Sequence, residues 1–210
     1  MISLTGPREP LTWEGSDRTP MGFYEIKGII ESLAEGLALK NLSFDPPDAT
    51  EQHPSYQPGR TARLRLNGQA MGWLGEVHPR VRENYDLPNQ PVLAADLDLD
   101  WLLSQVDERY PVSPVPEYPP VKEDLAVIVD ESMPAARVQA AIEAAGGNLL
   151  AGVTLFDVYR GEQIGRGKKS LAYRLTFQAP DRTLTDAETA KLRGKIVKRL
   201  QEETGAVLRG

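Results

Sequence analysis

Val153-Thr-Leu-Phe-Asp-Val-Tyr-Arg-Gly-Glu-Gln-Ile-Gly-Arg-Gly-Lys-Lys-Ser-Leu-Ala-Tyr-Arg-Leu-Thr-Phe-Gln178 reads as two strands joined by a basic, glycine-rich loop. Successive side chains of a strand point to opposite faces, so each strand separates into two sets. In the second strand Leu171, Tyr173, Leu175 and Phe177 share a face, while Ser170, Ala172, Arg174 and Thr176 form the other. The first set can build a core. The second is small or polar and predicts a sheet face left uncovered. With Phe156 and Val158 turned to the core, Asp157 and Tyr159 join the small residues on that open face. A flat, small-lined surface with one tyrosine and one carboxylate beside a basic loop suits reading unpaired bases.

The flanking segments complete a unit around this hairpin. Asp124 to Val129 alternates as a strand, with Leu125, Val127 and Val129 inward and Ala126 outward. Ser132 is placed to cap a helix that runs to Ala145, with a stripe of Val138, Ile142 and Ala145, before Gly146 and Gly147 end it. After the hairpin, Thr185-Asp-Ala-Glu188 is a capping box, and Leu192, Ile196 and Leu200 line one face of a helix reaching about Glu203. Gly205 closes it, and Ala206 to Leu208 forms a last short strand. The resulting order, strand, helix, strand, strand, helix, strand, is the ferredoxin-like βαββαβ arrangement, with two helices on one sheet face and the other face bare.

Upstream, residues 1–20 contain Gly6, Pro7, Pro10, Gly15 and Pro20 and predict an irregular lead-in. Helical spacing of Phe23, Ile26, Ile29, Ile30, Leu33 and Leu37 predicts an amphipathic helix over Met21 to Leu39. Leu42 and Phe44 make a short strand that Pro46 and Pro47 end. Thr61 to Leu66 and Ala70 to Val77 are partner strands of a hairpin turned at Asn67-Gly68. A short helix follows over Pro79 to Asn84, then a strand over Val92 to Leu99 and a helix over Leu99 to Val106. Between Tyr110 and Pro120 five prolines hold the chain extended. The predicted fold class is α+β. Its organisation is an N-terminal module over 1–106, a Pro-rich linker over 107–120 and a ferredoxin-like βαββαβ domain over 121–210.

A chain of 210 residues accommodates two such domains. No apolar run approaches the roughly 18 residues of a membrane span, and there is no cysteine to cross-link. Absence of a leader pattern and of cysteine points to the cytoplasm. Net charge is −6, and it lies in residues 1–105, which carry 9 Lys and Arg against 15 Asp and Glu; residues 106–210 carry 15 of each. The C-terminal half is the one able to approach phosphate, with Arg160, Arg166, Lys168, Lys169, Arg174 and Arg182 close together in sequence.

Catalytic chemistry is poorly represented. Gly161, Gly165 and Gly167 match neither a phosphate-binding loop ending in Gly-Lys-Ser/Thr nor a dinucleotide fingerprint. His53 and His78 each precede a proline at no metal-ligand spacing, and Asp96, Asp98 and Asp100 read as a strand face running into a helix cap, with Asp98 or Asp100 as the cap. No serine or lysine lies in a nucleophile motif. For Asp157 and Tyr159 the pattern leaves two readings open: base contact, or a strand-end tyrosine with a carboxylate paired to Arg174 or Arg160.

Specific strings then point to a family. Val121-Lys-Glu-Asp-Leu-Ala-Val-Ile-Val129, Leu155-Phe-Asp-Val-Tyr-Arg-Gly161, Gly167-Lys-Lys-Ser-Leu-Ala-Tyr-Arg-Leu-Thr-Phe177 and Asp181-Arg-Thr-Leu-Thr185 resemble the ferredoxin-fold anticodon-binding domain that closes the β subunit of bacterial phenylalanyl-tRNA synthetases. Phe23-Tyr-Glu-Ile-Lys-Gly28, His53-Pro-Ser-Tyr-Gln-Pro-Gly-Arg60 and Gly72-Trp-Leu-Gly-Glu-Val-His-Pro79 resemble the same subunit's catalytic-like module, an antiparallel class II synthetase-like fold without working catalytic motifs. The resemblance implies a β-subunit fragment that begins inside that module. It implies no catalytic residue, metal or cofactor of the fragment's own, the parent enzyme using ATP and magnesium. Its implied partners are tRNA(Phe) and the catalytic α subunit, in a heterotetramer of two α and two β subunits, with no membrane. By position, the implied anticodon contacts are Ala126, Asp157, Tyr159 and Ser170, with Tyr159 stacking on a base, Asp157 and Ser170 bonding base edges and Ala126 letting a base approach. Arg160, Lys168, Lys169 and Arg174 are added as candidate phosphate contacts. The alternatives are a ferredoxin-like regulatory or oligomerisation module without RNA binding, or a small ferredoxin-fold enzyme such as an acylphosphatase, for which no anion-gripping arginine loop is evident.

Overall fold

A computed structural model describes residues 1–48, 50–107 and 115–209, which divide into two compact units, Met1–Val112 and Ser113–Gly210. Residues 108–114 of the Pro-rich stretch lie outside the described residues; residues 115–120 carry neither helix nor strand.

In the first unit β1 (Ile2–Thr5), α1 (Phe23–Gly36), β2 (Leu42–Asp45), β3 (Tyr56–Leu66), β4 (Gln69–Val77), α2 (Pro79–Asn84), β5 (Val92–Leu97) and α3 (Leu99–Ser104) follow in order. The five strands form one antiparallel sheet in the order β1-β5-β4-β3-β2. The expected irregular lead-in is corrected here: residues 2–5 pair with β5, Ile2 opposite Ala95 and Thr5 opposite Val92. Four residues ahead of a Gly-Pro pair are too short for periodicity to reveal, and only the exposed edge of β5 makes them a strand. Asn67 and Gly68 both adopt positive φ, 52° and 79°, as the tight turn between β3 and β4 requires. Ile26 and Ile30 of α1 pack with Leu64, Leu66, Leu74, Leu93 and Leu102 in the core. His78 caps α2, its Nδ1 accepting the Arg80 N–H at 3.1 Å, and Asp98 caps α3 through Trp101 N–H at 3.0 Å.

The second unit contains β6 (Val121–Asp130), α4 (Ala135–Gly146), β7 (Leu150–Tyr159), β8 (Lys168–Phe177), α5 (Asp186–Thr204) and β9 (Val207–Leu208). Its sheet runs β7-β8-β6-β9, antiparallel at every pairing. Both helices pack on one face: Val138, Ala141 and Ile142 of α4 and Ile196 and Leu200 of α5 meet Leu125, Val127, Val129, Leu171, Tyr173, Leu175 and Phe177. Tyr173 is wholly buried with its hydroxyl donating to the Ala135 carbonyl at 2.9 Å, and burial pushes that phenol well above its ordinary range. Ser132 does not cap α4. The N-cap position belongs to Pro134, whose fixed φ of −64° leads into the first turn, and Gly147 at φ 59° stops the helix.

The capping box of α5 forms as its sequence predicts. Thr185 N–H donates to Glu188 Oε2 at 3.0 Å, Glu188 N–H donates back to Thr185 Oγ1 at 3.4 Å, and Arg182 Nη2 donates to Glu188 Oε1 at 2.6 Å. The Thr185 amide first, then Arg182 and the Thr185 hydroxyl, donate to the Glu188 carboxyl and lower it from 4.5 to about 2. A folded-state pKa below the unfolded one contributes stability that is complete above the unfolded value and is lost as pH falls towards the folded value. The wild-type chain is therefore expected to lose stability between pH 4.5 and about 2 more steeply than Glu188→Gln, which retains a capping side chain without the titration. Thermal unfolding of both proteins across that window measures the difference, and parallel curves would refute the assignment to Glu188.

Candidate nucleic-acid interface

On the face of the second sheet away from the helices, three strands align their side chains in rungs. Ala126 of β6 stands opposite Ala172 of β8, and Ala172 opposite Asp157 of β7. One level along, Ile128, Ser170 and Tyr159 form the next rung; in the other direction Asp124, Arg174 and Thr154 form a third. Strands lie about 4.8 Å apart and same-face residues about 7 Å apart along a strand. Ala126, Asp157, Tyr159 and Ser170 therefore converge on one small patch.

The route by which Asp157 and Tyr159 reach this face differs from the one simple alternation predicts. Leu155 pairs with Tyr173 and the next paired residue, Asp157, with Ala172, so Phe156 is an extra residue in a β-bulge. The bulge reverses the parity of β7 midway. Val153 and Leu155, before it, pack on the core. Phe156 does not go to the core as expected: its ring is 50% exposed, with the Arg174 guanidinium carbon 5.2 Å from its centroid. Val158 does stand on the core side, opposite Leu171, but on this edge strand it is 40% exposed.

Ser170 is a second correction. It lies on the predicted face yet is only 1% exposed, with Ile128 on one side and Tyr159 on the other as its cross-strand neighbours. Small residues on an alternating face are not thereby open, because larger neighbours across the strands can enclose them. Ala126 is partly covered, and Asp157 is exposed.

Charges around the patch are largely arranged in pairs. Arg174 donates to both oxygens of Asp124, at 2.8 and 2.9 Å, which holds that carboxyl below its usual range. Arg160 grips Glu131 through Nε and Nη2, the shortest contact being 2.9 Å, and Lys169 Nζ donates to the Glu131 carbonyl at 2.8 Å. Of the two arginines the second sequence reading offered to Asp157, Arg174 is held by Asp124 and Arg160 bonds Glu131. Lys168 is exposed at the start of β8.

Sequence reasoning missed two members of the patch. Phe156 is hidden from a period-two reading by the bulge. Arg209 follows the short edge strand β9, its N–H donating to the Ala126 carbonyl at 3.0 Å and its guanidinium carbon 4.7 Å from the Tyr159 ring centroid. Gly161 completes the surroundings of Tyr159: a Cβ built there would lie 2.2 Å from Oη and 2.5 Å from Cζ, so the ring lies directly across the glycine.

The first unit has a cavity of about 500 Å³ bordered by Phe23, Tyr24, Thr61 and Leu93. Its charged lining is an ion pair, Arg60 Nη1 to Glu76 Oε2 at 2.6 Å. Among the described residues no helix is long and apolar enough to cross a membrane.

An antiparallel four-stranded sheet with helices on one face and an aromatic, small-residue patch on the other defines a class. Residues 116–209 match the family model of the ferredoxin-fold anticodon binding domain, and residues 1–99 match that of the phenylalanyl tRNA synthetase beta chain CLM domain. The individual relatives are more particular. The chain is 40% identical over 208 residues to the phenylalanine–tRNA ligase beta subunit of Symbiobacterium thermophilum, covering 99% of this chain and 22% of that protein. It is 39% identical over 209 residues to the beta subunit of Halalkalibacterium halodurans, covering 99% and 25%, and 38% identical over 207 residues to one from Listeria monocytogenes, covering 98% and 25%. The chain thus spans about a quarter of the length of these relatives.

Proposed function

We propose that this chain acts within a phenylalanine–tRNA ligase β subunit, where the open face of its second unit reads the anticodon of tRNA(Phe). The carrying observation is the convergence of Ala126, Asp157 and Tyr159 on adjacent rungs of an uncovered sheet face, in a segment that matches an anticodon-binding family model. Tyr159 offers a ring to a base, the Asp157 carboxylate accepts from base N–H groups, and Ala126 leaves room for approach. Ser170 contributes to base reading only once Tyr159 shifts, because it is covered. Lys168 is the best placed of the candidate phosphate contacts; Arg160, Lys169 and Arg174 serve first to position the hairpin and Asp124.

The first unit, in this reading, is a catalytic-like module of class II synthetase architecture that supports the catalytic α subunit in a cytoplasmic heterotetramer of two α and two β subunits. Support comes from its antiparallel sheet and from its match to the synthetase beta chain model. Aminoacylation, with ATP and magnesium, belongs to the α subunit, and the Pro-rich segment over 107–120 links the two modules.

Titration of the chain with an RNA hairpin bearing the phenylalanine anticodon loop, at stated low salt, is expected to show tighter binding than to a hairpin with a scrambled loop. Equal affinity for both loops would refute anticodon reading and favour a regulatory or oligomerisation role. Gly161→Ala sharpens the same test. Its backbone, at φ −167°, accepts a side chain, but the new Cβ forces the Tyr159 ring aside. The variant is expected to fold normally and to lose part of the roughly 1–3 kcal/mol that base–aromatic stacking supplies. Unaltered RNA affinity in Gly161→Ala would mean that the ring's resting position is irrelevant to binding.

A further inference from the structure

The bulge in β7 places a second aromatic on the RNA-facing side of the sheet, and this aromatic has no role in the contacts that family resemblance implies. Phe156 has no register partner, since Leu155 faces Tyr173 and Asp157 faces Ala172. Its ring therefore forgoes the burial that β7 otherwise supplies to Val153 and Leu155, and remains half exposed on the face of Arg174. Bulges characteristically re-aim a side chain beside a functional site. Two hydrogen bonds to Asp124, at 2.8 and 2.9 Å, hold the edge of the Arg174 guanidinium, and the group lies over the ring. Planar guanidinium groups and aromatic rings are the two protein surfaces on which unpaired RNA bases stack.

The same combination recurs three residues along the strand, where Tyr159 lies under Arg209 at 4.7 Å. At about 3.3 Å per residue the Phe156 and Tyr159 backbones stand about 10 Å apart along β7, with Asp157 one residue beyond Phe156 on the same face. Resting on the anticodon-reading proposal, we propose that Phe156 and Arg174 form a second stacking platform, which takes an unpaired base of the same RNA loop adjacent to the one stacked on Tyr159.

The test uses the 210-residue chain and the phenylalanine anticodon hairpin, with 2-aminopurine replacing one loop base at a time so that stacking is read as fluorescence quenching at a known position. Phe156→Leu keeps an apolar side chain of similar size and removes the ring; because the residue is half exposed, hydrogen exchange of β8 amides should remain native and certify the fold. Phe156→Leu is expected to weaken binding about 10-fold and to abolish quenching at one loop position, while Tyr159→Ala abolishes it at a different one. If Tyr159→Ala weakens binding and Phe156→Leu leaves both affinity and quenching as in wild type, the second platform is overturned and anticodon reading survives. Loss of quenching at a single shared position in both variants would also overturn it, reducing Phe156 to a support for Tyr159. Failure of wild type to distinguish the anticodon loop from a scrambled one removes the parent reading, and this proposal with it.

Discussion

Tyr159→Ala is expected to lower the affinity of the chain for the phenylalanine anticodon hairpin by about 5- to 150-fold, the equivalent of roughly 1–3 kcal/mol for one stacked base, while leaving thermal unfolding nearly unchanged. The two effects separate because of where the ring lies. It sits on the uncovered face, across Gly161 and beneath Arg209, and outside the cluster of side chains that α4 and α5 bury. Removing it frees Arg209 and bares Gly161 but opens no cavity in the core. Tyr159→Phe retains the stacking face, so it should bind within a few-fold of wild type. The measurement is a pair of binding isotherms at matched salt with melting curves for each variant. A large fall in melting temperature for Tyr159→Ala, or an affinity equal to wild type, would contradict the assignment.

Phe177→Ala should act in the opposite sense, on stability rather than on recognition. The side chain is fully buried at the end of β8, paired on one side with Val121 and on the other with Leu150. Large-to-small changes of this kind cost about 3–5 kcal/mol through lost transfer energy and the cavity left behind. For a unit of this size that is a large share of a total stability of about 5–15 kcal/mol and corresponds to a drop in melting temperature of order 20 °C. Hydrogen exchange isolates the effect: amides of β6 and β8 should exchange far faster, while those of β3 and β4 in the first unit keep wild-type protection. Unchanged protection in β6 and β8 would place Phe177 outside the cooperative core.

The second unit was legible from local patterns because its signals agree with one another. Alternation in residues 171–177, the Thr185–Glu188 capping box and the glycines after each helix all point to one element order, and every element appears where that order requires. The failures have identifiable causes. Residues 2–5 are a strand only because β5 offers an edge. Ser132 lost its cap position to Pro134, whose ring already holds the dihedral angle the chain needs there. Ser170 has the right parity and is nonetheless buried, between cross-strand neighbours Ile128 and Tyr159 that alternation within one strand does not describe.

Asp157 and Tyr159 show the division most clearly. Expected on the open face because Phe156 and Val158 would turn inward, they arrive there because the bulge at Phe156 adds one residue to β7 and reverses its parity. What the sequence by itself determined is the order of elements, the buried face of β8 and the residue types available for base contact, since each of these depends on periodicity within a few turns of chain. The tertiary structure alone decided which of those residues are reachable and what accompanies them. Arg209 meets Tyr159 across strands far apart in sequence, Arg174 meets Phe156 across a hairpin whose register the bulge shifts, and the register between strands is set by hydrogen bonding and core packing of the whole sheet rather than by any single segment.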